Sequence, residues 1–170
     1  MTYYPTIWRD DDIQVSTDLK QFILVDEIFK KHKVNHTIAV IAKDIEIHQG
    51  LVKYIKKNPH IDVQLHCWEH IRYSDMDLFK KHLKFGRDSL EEIFEKPVNI
   101  WYPPWNETTE DMNKVAKSLG LNPYPQHTTL MEYLKDNGNS RFDTVIFHYW
   151  FTGDVVLLDR ALELYNLHQL

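Results

Sequence analysis

The stretch Thr37-Ile38-Ala39-Val40-Ile41-Ala42 runs without polar alternation and is rich in β-branched residues. A strand with one wet face would alternate, whereas an uninterrupted run of this kind reads as a strand buried on both faces of a helix-covered parallel sheet. The flanking sequence agrees. Upstream, Leu19, Phe22, Ile23, Val25, Ile28 and Phe29 form the apolar face of a helix reaching about Lys33, with Ser16 or Thr17 as its cap. Before it, Thr6-Ile7-Trp8-Arg9 reads as a strand entering Asp10-Asp11-Asp12. Downstream, a helix over about Ile47 to Lys57 closes at Asn58-Pro59, and Ile61-Asp62-Val63-Gln64-Leu65 is a third strand. Asp75 or Ser74 opens a longer helix that Pro97 stops, and Val98 to Tyr102 is a fourth strand. Thr108 or Thr109 caps a helix to about Leu119, with Gly120 where a left-handed residue is favoured. The segment Leu121 to Ser140 holds a short helix at Thr129–Lys135 and the turn Asn137-Gly138, Asp143 to Phe147 is a last strand, and Leu157 to Leu167 a terminal helix. Strands alternating with helices predict βα units and a largely parallel sheet, open or closed into a barrel.

At 170 residues the chain suits a single domain spanning 1–170 with a core of its own. A net charge of −5 argues against a nucleic-acid partner, which would call for a basic patch. The apolar runs are too short to span a bilayer. Met1-Thr2-Tyr3-Tyr4-Pro5 lacks the basic and apolar regions of a signal peptide, so the cytoplasm is the default expectation; a leader cleaved beforehand would leave the same sequence, and export stays open. The one cysteine, Cys67, excludes an intrachain disulfide.

In βα folds, function gathers where the loops after the strands share a face. Four polar groups fall at such positions: Asp10–Asp12, His66 with His70, Pro103–Asn106, and His148. His66 and His70 lie four positions apart, a spacing that brings two imidazoles together on a helical turn or in a tight loop. Among ten histidines a pair at this spacing arises by chance, so the placement carries the argument. One aspartate and two imidazoles make a set that leaves a coordination position open, as in catalytic sites. Zinc, iron, cobalt and nickel all suit it. With a carboxylate to take a proton from water and a histidine to protonate a leaving group, the kit suffices for amide or ester hydrolysis without a covalent intermediate. Blander readings stand beside each element. An Asp run is often a solvated loop or cap, His148 beside Tyr149 and Trp150 reads equally as a core histidine, and Trp101, Tyr102 and Trp105 as packing. His32, His36, His48, His60, His82, His127 and His168 are read as structural or surface residues, and Cys67 as a bystander.

Asp-Asp after the first strand, His-x-x-x-His after the third, an aromatic-Pro-Pro-Trp-Asn segment and a late strand-end histidine together resemble the polysaccharide deacetylase family, also called NodB-homology or carbohydrate esterase 4-like. The resemblance covers about Thr6 to Trp150. It implies an α/β fold, an incomplete and irregular (β/α) barrel, and metal-dependent removal of an acetyl group from an acetylated carbohydrate, usually with zinc. Carried over residue by residue, Asp12, His66 and His70 look like the metal ligands, Asp11 like the general base and His148 like the general acid. Tyr102, Pro103, Pro104 and Trp105 resemble the wall of the substrate groove. Trp105 or Tyr102 is then the candidate for stacking on a sugar, and the amide near Tyr102 for holding the oxyanion. Side chains alternate along a strand, so Asp10 stays open as the base.

The sequence also departs from the family pattern. Ile13 stands where a glycine usually follows the aspartate pair. Trp101-Tyr102 replaces the arginine that usually opens the proline motif, so either Arg9 substitutes for it or the base is tuned differently. No counterpart of the aspartate-tryptophan motif is evident, and there are about six βα units where a full barrel has eight. Two other functions compete with carbohydrate deacetylation: hydrolysis of another small amide, and non-catalytic carbohydrate binding on the same fold.

Overall fold

A computed structural model describes residues 5–140 and 142–169. The N-terminal stretch Met1–Tyr4, on which the leader argument rests, lies outside them. The order is β1 (Ile7–Ile13), α1 (Leu19–His32), β2 (His36–Ile41), α2 (Gln49–Lys57), β3 (Ile61–Cys67), α3 (Met76–Phe94), β4 (Ile100–Trp101), α4 (Glu110–Ser118), β5 (Asn122–Pro123), β6 (Thr128–Thr129), α5 (Leu130–Lys135), β7 (Thr144–Phe147) and α6 (Thr152–Leu167). All pairings are parallel, in the order β5-β4-β3-β2-β1-β7-β6. β2 is buried at every position, as its unbroken apolar sequence requires.

Chain length shows that this sheet is curled. β5 and β6 lie at opposite edges, yet only residues 124–127 join them. Five residue steps reach at most about 18 Å, whereas seven strands laid flat would span about 29 Å at the usual spacing. The edges are therefore folded towards each other into a half-barrel. The joining segment is pinned there, because Tyr124 Oη donates to Asp143 and the Arg9 guanidinium reaches Tyr124 O at 3.4 Å.

Alternation along β1 sorts its side chains into two environments. Trp8 packs edge-on against Tyr133 of α5 and Tyr165 of α6, on the helical side. Arg9 points the other way, into the half-barrel, and is fully buried. On β3 the same alternation sends Leu65 towards α3, where Gly86 lies so close that a Cβ would sit 2.7 Å from Leu65 Cδ1. Gln64 and His66 take the interior side.

Several boundaries differ from the sequence reading. The first strand does not stop at Arg9 but continues through the aspartates to Ile13. The third extends to Cys67, so His66 is a strand residue. Asp18, not Ser16 or Thr17, caps α1 by accepting from the amides of Lys20 and Gln21. α6 starts at Thr152, well before Leu157. β5 and β6 were not foreseen; strands of two residues carry no period. The caps Asp75 and Thr109 are among those the sequence offers, the short helix expected at Thr129–Lys135 starts at Leu130 with Thr129 as its cap, and Gly120 is left-handed at φ 76°. Among the described residues, no helix is long and apolar enough to cross a membrane.

Candidate metal centre

Asp10, Asp11 and Asp12 are separated by a bulge. Asp10 pairs with Ile38 and Ile13 with Val40, so three steps on β1 face two on β2. Asp12 takes up the extra residue at φ 65°, a left-handed conformation that aspartate tolerates better than most residues. The three carboxylates thus go to three places. Asp10 faces the helices, Asp11 lies against Arg9, and Asp12 swings over the end of the sheet.

There Asp12 meets the two histidines. Its Oδ1 lies 3.4 Å from His66 Nε2 and 3.6 Å from His70 Nε2, and one ligand atom from each residue falls within 4.8 Å of the others. His66 comes from β3 itself, and His70 from the bend that follows it. His66 Nδ1 donates to Tyr102 O at 2.7 Å, which leaves the Nε2 lone pair directed at Asp12. A fixed tautomer of this kind is what a metal-ligating imidazole needs. Trp101 Nε1 donates to His66 O at 3.0 Å and holds the same residue from its backbone. Burial opposes ionisation of Asp12, but with a proton on His66 Nε2 in place of an ion, the hydrogen bond and charge of His66 and the charges of His70 and His148 outweigh it and hold the carboxyl below its usual range. Burial, with the neighbouring His66, lowers the pKa of His70, which favours the neutral ring a metal binds. The donor set therefore fits a divalent ion.

On one side of this trio, Asp11 is clamped by Arg9. Nε lies 2.7 Å from Oδ1 and Nη2 2.9 Å from Oδ2, a two-pronged pair with both side chains almost wholly buried. Arg9 also donates to Asn106 Oδ1 at 2.5 Å and stacks over the Tyr102 ring at 4.5 Å. Of the two alternatives the sequence left for the missing motif arginine, the geometry has Arg9 beside Asp11. On the other side, His148 Nε2 lies 3.9 Å from Asp12 Oδ2, and its Nδ1 faces Asp154 Oδ2 at 3.6 Å. Burial alone would lower its pKa, but Asp154 and the charges of Asp11, Asp12 and Asp10 raise it above the ordinary histidine value. The sequence reading missed Asp154, because it fell in a stretch assigned to no element. In the structure it stands in the first turn of α6 and also accepts from the His148 amide at 3.0 Å.

The groove wall needs correction. Tyr102 is fully buried beneath Arg9, so it cannot stack on a sugar, and its amide donates to Leu65 O at 2.9 Å, so it cannot hold an oxyanion. Pro103 and Pro104 are buried as well. Trp105 alone of the four is exposed, at 45%, in a left-handed conformation (φ 55°) that a bulky residue seldom adopts. Its indole meets His70 edge-on at 4.4 Å, and Arg72 covers it at 4.4 Å. Above the trio a shallow cleft of about 400 Å³ is bordered by Asp12, Gln14, Ile41, His70, Tyr149 and Trp150. A more enclosed apolar cavity of about 460 Å³ lies beyond Trp105, with Cys67 on its wall. It touches none of Asp12, His66, His70 and His148, so we place the chemistry in the shallow cleft. Cys67 thus faces away from the imidazoles, and burial pushes its thiol well above the usual range.

A family model described as polysaccharide deacetylase matches residues 20–124. No curated protein sequence matches the chain. Among solved structures, the fold is similar to a family 4 carbohydrate esterase pseudoenzyme from Bacillus anthracis (15% identity, TM-score 0.79), over 96% of this chain and 62% of that one. It is also similar to the peptidoglycan deacetylase PdaC from Bacillus subtilis (14% identity, TM-score 0.76), over 96% of this chain and 84% of that one. A third is a family 4 carbohydrate esterase from Streptomyces lividans in complex with acetate (12% identity, TM-score 0.72), over 99% of this chain and 91% of that one. This chain spans less than two thirds of the Bacillus anthracis structure. At these identities the structural likeness speaks for the fold, the curled half-barrel of parallel strands. With the sequence match over more than half its length, the chain belongs to the polysaccharide deacetylase family.

Proposed function

We propose that the chain is a metal-dependent deacetylase hydrolysing an acetyl amide or ester on a carbohydrate. Asp12, His66 and His70 would hold the ion, most simply zinc, with Asp11 as base and His148 as acid. The observation that carries the reading is the convergence of these three ligand atoms between a clamped carboxylate and an oriented imidazole. Family membership alone would not suffice, since one structure of similar fold is a pseudoenzyme.

A divalent ion held there would polarise an acyl carbonyl and acidify water. Asp11 is suited to take the proton of that water. Arg9 fixes both of its oxygens in place and compensates the charge of a carboxylate that is itself almost wholly buried. Asp10 is excluded from this role by its position, buried on the helical side. His148, its pKa raised by Asp154 and the neighbouring aspartates against the effect of burial, presents Nε2 to the centre and, when protonated, can deliver its proton to the departing amine or alcohol. Trp105, 45% exposed with Arg72 over one side of its ring, offers its remaining aromatic surface at the rim to the apolar side of a pyranose.

Two proteins of similar fold are named for peptidoglycan deacetylation, one of them for N-acetylglucosamine, which makes N-acetylglucosamine oligomers the first substrates to try. With zinc added, acetate should be released, and His66→Ala should abolish release. Binding of one zinc equivalent without acetate from any N- or O-acetylated sugar would refute the substrate class. Turnover of small acetylated amines instead would assign the same centre to another amide.

A further inference from the structure

Asp10 is left over from the mechanism, yet it is fully buried and placed between two partners. One oxygen accepts from the amide of Tyr149 at 2.8 Å, and Tyr149 directly follows His148. The other oxygen lies 3.4 Å from His36 Nε2. His36 is fully buried, stacked on Phe29 at 4.3 Å with an interplanar angle of 4°. Its Nδ1 lies 3.1 Å from Asp26 Oδ1 in α1, and Asp26 in turn accepts from Tyr54 Oη of α2 at 2.8 Å and faces His60 Nε2 at 2.9 Å. A polar line therefore runs from α2 through α1, β2 and β1 to the loop that carries His148.

Burying such charges is expensive, and well-packed apolar residues in their place would serve stability as well or better. What an apolar residue could not do is hold the 149 amide. The backbone at His148 is gripped from both sides, its own amide by Asp154 and the next amide by Asp10. Asp154 also faces the ring, at Nδ1.

We infer that Asp10, backed by His36 and Asp26, is a positioning residue that sets the direction of the His148 imidazole by holding the Tyr149 amide. The inference rests on the reading of His148 as the acid only for its kinetic consequence; the positioning itself is separately observable. Asp10→Leu keeps the shape of the side chain and removes the acceptor. Asp10→Asn keeps an oxygen for the Tyr149 amide and should rescue.

A misplacement of about 1 Å can cost on the order of 100-fold, so Asp10→Leu should lower kcat on an N-acetylated sugar by roughly 10–100-fold, with KM and bound zinc unchanged. On 4-nitrophenyl acetate, whose leaving group needs no proton, kcat should stay within about 3-fold. The double variant Asp10→Leu/His148→Ala should be no slower on the amide than His148→Ala. The imidazole 15N and 13C NMR signals of His148 should move in Asp10→Leu and return in Asp10→Asn. Unmoved signals, or equal losses on amide and ester while His148→Ala discriminates between them, overturn the inference. If His148→Ala itself shows no leaving-group dependence, the acid assignment fails, and the NMR signals alone decide the positioning.

Discussion

Arg9→Met should be among the most destabilising single changes in this chain. The guanidinium is wholly buried, contacts both oxygens of a carboxylate that is itself 3% exposed, and donates to Asn106. Methionine fills most of the volume but leaves Asp11 as an uncompensated buried charge. Breaking one partner of such a pair costs about 3–5 kcal/mol. For a domain of this size, that is a fall in Tm of roughly 6–20 °C. Much of this cost is the stranded charge rather than the value of the pair. Removing that charge as well, in Arg9→Met/Asp11→Asn, should therefore recover part of the loss, with a coupling of about 1–3 kcal/mol. Urea denaturation of wild type, both single variants and the double variant measures each leg of the cycle. A cost below about 1 kcal/mol for Arg9→Met, in the range of exposed pairs, would refute the picture of a dry, two-pronged clamp.

Other consequences follow from the same geometry. Burial opposes the charge on Asp26, but His36, Tyr54 and His60 overcome it and lower its pKa far below the model-peptide value. That contribution to stability is present above about pH 3.9 and is lost as pH falls through the lower folded value. His36 is raised, since Asp10 and Asp26 outweigh its burial, so its contribution is present below about pH 6.5 and is lost as pH rises through the folded value. The stability gap between wild type and Asp26→Asn should therefore be widest between these limits and narrow on both sides; a gap independent of pH in denaturation curves would contradict it. Trp105→Ala should raise KM for a sugar substrate by roughly 2–12-fold, the equivalent of about 0.5–1.5 kcal/mol of stacking, with kcat little changed. An unchanged KM would remove the indole from the substrate site.

Much of this architecture was legible in the sequence because burial on both faces leaves a plain signature. β2 shows it as an apolar run, α1 shows it as spaced apolar residues, and α3 and α4 begin at caps the sequence offers, Asp75 and Thr109. The convergence of Asp12, His66 and His70 was legible from their places at strand ends, since parallel topology delivers those ends to one rim. The fates of the three aspartates were not. Strict alternation would pair Asp10 with Asp12, and only a bulge with a left-handed Asp12 separates them, which no residue type in Asp10-Asp11-Asp12 announces. Tyr102 was misread because an aromatic residue beside two prolines looks alike whether it faces a ligand or covers a buried arginine. His36 matters through Asp10 and Asp26 on other elements, and Asp154 through a loop that turns it back on His148 six residues earlier; neither contact leaves a periodic trace in the sequence.

The most direct test of the account is a zinc titration by calorimetry of the wild-type chain and of Asp12→Ala, His66→Ala and His70→Ala, each checked for folding by circular dichroism. The convergent geometry predicts one tight equivalent for wild type and a loss of at least about 10–100-fold in affinity for each variant. Zinc bound equally well by all three folded variants, or by none of the four proteins, would contradict it.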